Sequence, residues 1–193
     1  MNDKNAQIIL YLIENKNKEI NILKISQDLK IDYKNVHTMV KRLETGSLVK
    51  LESFGQSKRV TLIARMHPLI FEAEYQRKEK LLKDKNIRVM LHDFKRGLSS
   101  KYHILLLFGS YARRRQTRSS DIDLMFIVPN GTEEFFEGEV HQTTSSSPLP
   151  IHALVFSEKQ FLEMVHSPEL NVGREALKNN VILYGIETYY ELV

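Results

Sequence analysis

The pairing of Gly109-Ser110 with Asp121-Ile122-Asp123 constrains this chain more than any other feature. An apolar run, residues 104–108, ends at the Gly-Ser dipeptide; ten residues later the two aspartates lead into a second apolar run, residues 124–128. Short apolar runs bounded by turn residues read as buried strands. Carboxylates at i and i+2 of a strand point to one face, so Asp121 and Asp123 can hold one or two magnesium ions between them. A Gly-Ser turn lets the backbone approach a phosphate closely, with amide donors and the Ser110 hydroxyl. It is also expected to open a helix whose positive end favours the anion.

A metal clamp beside a phosphate turn predicts nucleotidyl transfer. The stretch GSYARRRQTRSSDIDL resembles the signature of the DNA polymerase β-like nucleotidyltransferase superfamily, and within it the minimal nucleotidyltransferases. The spacing, the flanking strands and Ser120 before Asp121 carry the resemblance, and the tail VGREALKNNVILYG is similar to the family's closing helix and strand. It covers roughly residues 87–193 and implies an α/β nucleotidyltransferase fold with a mixed sheet.

The resemblance also implies the chemistry. A nucleoside triphosphate, ATP being the expected one, is attacked at its α-phosphorus and pyrophosphate leaves, with Mg2+ held by Asp121 and Asp123. Gly109, Ser110, Ser120 and the arginines Arg113 and Arg114 are the expected nucleotide-binding residues. Arg115 and Arg118 lie in the same basic stretch, where phosphates, pyrophosphate or an acidic acceptor are within the expected reach of one or two of the four. Family members commonly carry glycine where this chain has Arg114, a substitution expected to tighten or reshape the loop entrance. They also carry a third acid on a later strand. The equivalent strand here, residues 149–156, has His152 as its central polar residue, and alternation turns it away from Ile151 and Ala153, toward the site. A neutral His152 imidazole can accept the acceptor's proton or ligate a softer metal. The competing reading is a strand histidine bonded to a nearby backbone or hydroxyl group.

Composition narrows the setting. The chain has 193 residues, 42% of them hydrophobic, which is enough for one full domain or two small ones. The absence of cysteine excludes disulfides and thiolate metal sites and fits a cytoplasmic protein. The amino terminus lacks a basic leader followed by an apolar core, and no apolar run approaches the roughly eighteen residues of a membrane span. The seven histidines show no close pairing with zinc-ligand spacing.

Charge is unevenly placed. Residues 1–66 hold twelve Lys and Arg against seven Asp and Glu, whereas residues 67–193 hold sixteen against seventeen. The basic first third is also helical in pattern. Ile8, Ile9, Leu12 and Ile13 mark one helix; Ile22, Ile25 and Leu29 mark a second. Asp32 caps a third, with Val36, Val40 and Leu43 as its apolar stripe and Gly46 as its end. Strands at 48–52 and 59–63, joined by a turn around 55–58, complete a winged helix-turn-helix pattern. Residues 4–66 are similar to the winged-helix domains of bacterial and archaeal regulators, which implies double-stranded DNA as a partner. In such folds the third helix enters the major groove. Asn35, Thr38 and Lys41 are the expected readers of base edges, and Lys34, Arg42, Lys58 and Arg59 the expected phosphate contacts. A dimerisation or docking role is the alternative.

The domain reading is therefore a winged helix-turn-helix over 1–66, a linker helix over 67–86, and a nucleotidyltransferase domain over 87–193. Within the last, NIRVMLHDFKRGL is expected to pack on the catalytic sheet, TTSSSPLP (143–150) to be loop, and the acidic patch Glu133, Glu134, Glu137 and Glu139 to be solvated surface. Two functions from different classes follow. One is an enzyme transferring a nucleoside monophosphate, AMP in the expected case, to a hydroxyl on protein or RNA. The resemblance points to antitoxin-like members that modify a HEPN-type ribonuclease toxin. The other is a DNA-binding regulator whose degenerate transferase domain senses nucleotide or dimerises, with a homodimer expected. An aminoglycoside-type small acceptor ranks below both, because no further acceptor domain accompanies the short core.

Overall fold

The apolar positions that recur at helical spacing near the amino terminus are buried in the computed structural model, which describes residues 4–55, 57–117 and 119–193. Arg118, and Gln56 in the expected turn, lie outside the described residues. The chain divides into two units, Met1–Gln76 and Arg77–Val193. Among the described residues no helix is long and apolar enough to cross a membrane.

In the first unit, α1 (Lys4–Glu14) buries Ile8, Ile9, Leu12 and Ile13. The Asn21 side chain caps α2 (Ile22–Leu29) by accepting from the Lys24 amide at 2.8 Å. Asp32 does the same for α3 (Tyr33–Thr45), accepting from the Lys34 and Asn35 amides at 3.0 and 3.2 Å. Such caps contribute about 1 kcal/mol each by satisfying orphan amides. Val36, Val40 and Leu43 form the buried stripe of α3, and Gly46 ends it with its amide on the Arg42 carbonyl. An antiparallel hairpin follows, β1 (Val49–Phe54) with β2 (Ser57–Leu62). Both strands run closer to the turn than the sequence pattern predicts, because cross-strand pairing persists to Phe54 opposite Ser57.

The division between units falls within α4 (Pro68–Leu81). In the second unit, the Asp84 side chain caps α5 (Lys85–Gly97), whose Ile87, Met90, Leu91 and Phe94 enter the core with residues of the sheet. The remaining elements are β3 (Ile104–Leu107), α6 (Gly109–Ala112), β4 (Ile122–Val128), α7 (Glu133–Ser145), β5 (Ile151–Ser157), α8 (Glu158–His166), α9 (Val172–Lys178), β6 (Val181–Tyr184) and α10 (Ile186–Leu192). The sheet is mixed, in the order β5-β4-β3-β6: β3 is antiparallel to β4 and to β6, while β4 and β5 are parallel. A parallel pair needs a crossover, and α7 supplies it.

That helix corrects the expectation of loop over 143–150, since α7 extends through Ser145. Phe136 and Val140, four residues apart, are buried in the core; Glu134 and Glu137 are exposed, whereas Glu133 and Glu139 are half-buried, and the Glu139 carboxylate accepts from the Ser99 amide at 3.2 Å. The third apolar strand starts at Ile151 rather than 149, because its parallel pairing with β4 opens at Ile122 opposite Ile151, with the Ile122 amide donating to the Pro150 carbonyl at 2.8 Å. At the start of β3, the His103 ring stacks on Tyr184 with centroids 4.6 Å apart, and burial pushes its imidazole down to about 4.

Candidate active site

Strand β3 runs into Phe108, whose amide donates to the Asp123 carbonyl at 3.0 Å, and the chain then turns at Gly109 with φ +66°. A side chain is strained in that left-handed region. Space is equally restrictive, because a Cβ on Gly109 would collide with the Asp123 carboxylate. The sequence therefore needs glycine here twice over, and the outcome is an aspartate seated directly against the turn backbone.

Asp121 and Asp123 flank the buried Ile122, so both carboxylates leave the chain on the side away from the core. Asp121 precedes the first residue of β4, is exposed, and has no side-chain hydrogen bond or ion pair among the described residues. Asp123 is partly buried, its side chain 27% exposed. Opposite it in the parallel register stands His152, with Nδ1 3.4 Å from Asp123 Oδ1. His152 thus meets Asp123, and the partner it has is a carboxylate rather than the backbone or hydroxyl group of the competing reading. At 3.4 Å the contact is longer than a strong charge-assisted hydrogen bond. Among the described residues no group of three or more His, Asp or Glu side chains could hold a metal ion, so Asp121, Asp123 and His152 do not form one.

The basic stretch sorts itself by its bonds. Short helix α6 closes with the Arg113 amide on the Gly109 carbonyl at 3.3 Å, and the Arg115 amide takes the Ser110 carbonyl at 2.9 Å. Ser110 is half-buried, and its hydroxyl makes no hydrogen bond among the described residues. Arg114 has φ +54°, which accounts for the glycine common at this position in the similar family: glycine carries no penalty there. Ser120 closes the loop, its hydroxyl accepting from the Thr117 amide at 2.8 Å and lying 3.1 Å from the Thr117 hydroxyl. Arg113 extends to α9, where its Nη2 lies 2.6 Å from Glu175 Oε1. Sequence reasoning missed Glu175; the only signal was its place in the tail that resembles the closing helix.

Residues 91–179 match the family model of the nucleotidyltransferase domain. The match supports the nucleotidyltransferase superfamily for that stretch, and the mixed α/β architecture fits such a domain. It spans the Gly-Ser turn, both aspartates, His152 and Glu175. No curated protein and no solved structure matches the chain. Nucleotidyl transfer is thereby the general role supported for the domain.

In the first unit, Lys34, Asn35, Thr38 and Arg42 are exposed on α3, and Lys58 is exposed on β2. Lys41 is half-buried and pairs with Glu44 at 2.8 Å. Arg59 pairs with Glu19. The Thr38 hydroxyl donates to the Lys34 carbonyl at 2.9 Å, so three of the seven residues expected to meet DNA already engage their side chains within the chain.

Proposed function

We propose that this chain transfers a nucleoside monophosphate, AMP from ATP, to a hydroxyl of a protein or RNA acceptor, and that its first unit is a winged helix-turn-helix that binds double-stranded DNA. The observation that carries the transferase reading is the contact between Gly109 and the Asp123 carboxylate. It sets the acid expected to bind metal against the turn expected to bind phosphate.

The donors fit Mg2+, which is commonly held by one or two carboxylates completed by substrate phosphates and water. Asp121 and Asp123 would hold it, and when bound it neutralises charge developing on the phosphates. In this reading the Ser110 hydroxyl and nearby amides hold the triphosphate, and the acceptor oxygen attacks the α-phosphorus as pyrophosphate departs. His152, held by Asp123 through Nδ1, offers Nε2 to take the acceptor's proton. A homodimer is the proposed assembly. A HEPN-type toxin is the protein acceptor to which the resemblance points.

A second reading rests on His152 itself. An imidazole in place of a carboxylate weakens a magnesium site, because magnesium prefers oxygen. This favours a DNA-binding regulator with a degenerate transferase domain. Transfer of α-labelled ATP, with magnesium, into host-cell extract separates the two. The wild type is expected to label a protein or RNA species that the Asp121→Asn, Asp123→Asn double variant does not. If folded wild type and double variant give the same labelling pattern, the enzyme reading fails and the regulator remains.

A further inference from the structure

Arg113 and Glu175 are sixty-two residues apart, yet their side chains meet at 2.6 Å. The sheet explains the meeting. Leu107, the last residue of β3, pairs with Val181, the first of β6, in antiparallel register. The turn after β3 and the helix before β6 therefore emerge at the same end of the sheet, and Glu175 lies on that helix.

Helix α9 is a firm base for this carboxylate. The Asn171 side chain caps it by accepting from the Arg174 amide at 2.9 Å, and its Nδ2 donates to the Met164 carbonyl at 2.8 Å. Gly173 packs against α8 so closely that a Cβ would lie 2.7 Å from Met164 Cβ. Arg174 donates through Nη1 to the Ser167 and Pro168 carbonyls at 3.1 and 2.6 Å. Arg113, in contrast, stands at the end of one helical turn, half exposed, in a loop of basic and hydroxyl residues.

We propose that Glu175 is a positioning residue for triphosphate: it fixes the Arg113 guanidinium at the mouth of the Gly109–Asp123 site, so that the remaining N–H groups meet the phosphates. This rests on the nucleotide reading of that site. A guanidinium carries five donors in a rigid fork, and Glu175 engages one nitrogen, leaving donors for an anion. A long side chain already held in place loses less freedom when the phosphate arrives, which is how pre-organisation raises affinity. Exposed ion pairs contribute little to stability, so the pair's consequence is expected in binding rather than in folding.

Binding of ATP and of AMP to the full chain, with magnesium, by titration calorimetry tests this. Glu175→Gln is expected to weaken ATP on the order of threefold to tenfold and AMP less than about twofold, because the lost contact reads the outer phosphates. The double variant with Arg113→Ala is expected to bind ATP no more weakly than Arg113→Ala alone, since both changes remove one interaction. The melting temperature serves as control. Unchanged or tighter ATP binding by Glu175→Gln overturns the positioning role, tighter binding meaning that Glu175 competes with phosphate for Arg113. Equal weakening of ATP and AMP overturns it in favour of a general structural role. Wild type that binds neither nucleotide overturns the nucleotide site itself, an outcome distinct from an effect confined to Glu175.

Discussion

Gly109 is the residue on which the candidate site turns. Its backbone conformation and its contact with Asp123 each exclude a side chain, and either alone costs about 1–3 kcal/mol when violated. Gly109→Ala violates both and is accordingly expected to lower stability by about 2–6 kcal/mol and nucleotide affinity by at least about tenfold, because the displaced carboxylate is one that the proposed site uses. Denaturant melts and nucleotide titration measure the two effects; wild-type affinity in Gly109→Ala would separate Gly109 from the site. His152 shows the opposite behaviour. Its identity is plain in the sequence, but its partner is a strand neighbour twenty-nine residues away, and only register joins Nδ1 to Asp123.

At the scale of elements, helix α3 was legible almost to its ends. Asp32, the stripe Val36, Val40 and Leu43, and Gly46 are local signals that act within a few residues. The exposed face was legible as well, but not the use of each residue on it. Lys41 lies one turn from Glu44 and pairs with it, whereas Arg42 is exposed. If α3 meets DNA, Arg42→Ala should reduce the salt slope of log K by about 0.9, as for one lost phosphate contact, and Lys41→Ala by less. Fluorescence anisotropy across a salt series measures both slopes, and a larger change for Lys41 would show that its pairing with Glu44 yields to phosphate. Helix α7 was not legible: only Phe136 and Val140 of its apolar residues are buried, and the adjacent Phe135 is exposed, which blurs the helical stripe among acidic residues. What makes it a helix is the need to connect two parallel strands and cover the core between them.

The molecule as a whole comprises two units with different charge. The excess of Lys and Arg belongs to the first sixty-six residues, while the paired aspartates belong to the second unit. The proposed function assigns one activity to each unit. Under the proposed function, Asp121→Asn with Asp123→Asn is expected to abolish magnesium-dependent nucleotide binding and to leave DNA affinity within about twofold, since neither aspartate belongs to the first unit. Parallel nucleotide and DNA titrations of the double variant check this; equal loss of both would mean that one site serves both ligands.

The sequence by itself determined what depends on neighbours along the chain: the cap at Asp32, the apolar strands and helix stripes, the glycine turn, and the two aspartates ten residues beyond Gly-Ser. These signals are local because backbone conformation and side-chain periodicity are local. Only the tertiary structure decided which strands lie side by side. Placing β5 beside β4 brought His152 to Asp123, and placing β6 beside β3 brought Glu175 to Arg113. Strand order and register arise from burying one shared core, so no short stretch of sequence encodes them, and the contacts that complete the site follow from that burial.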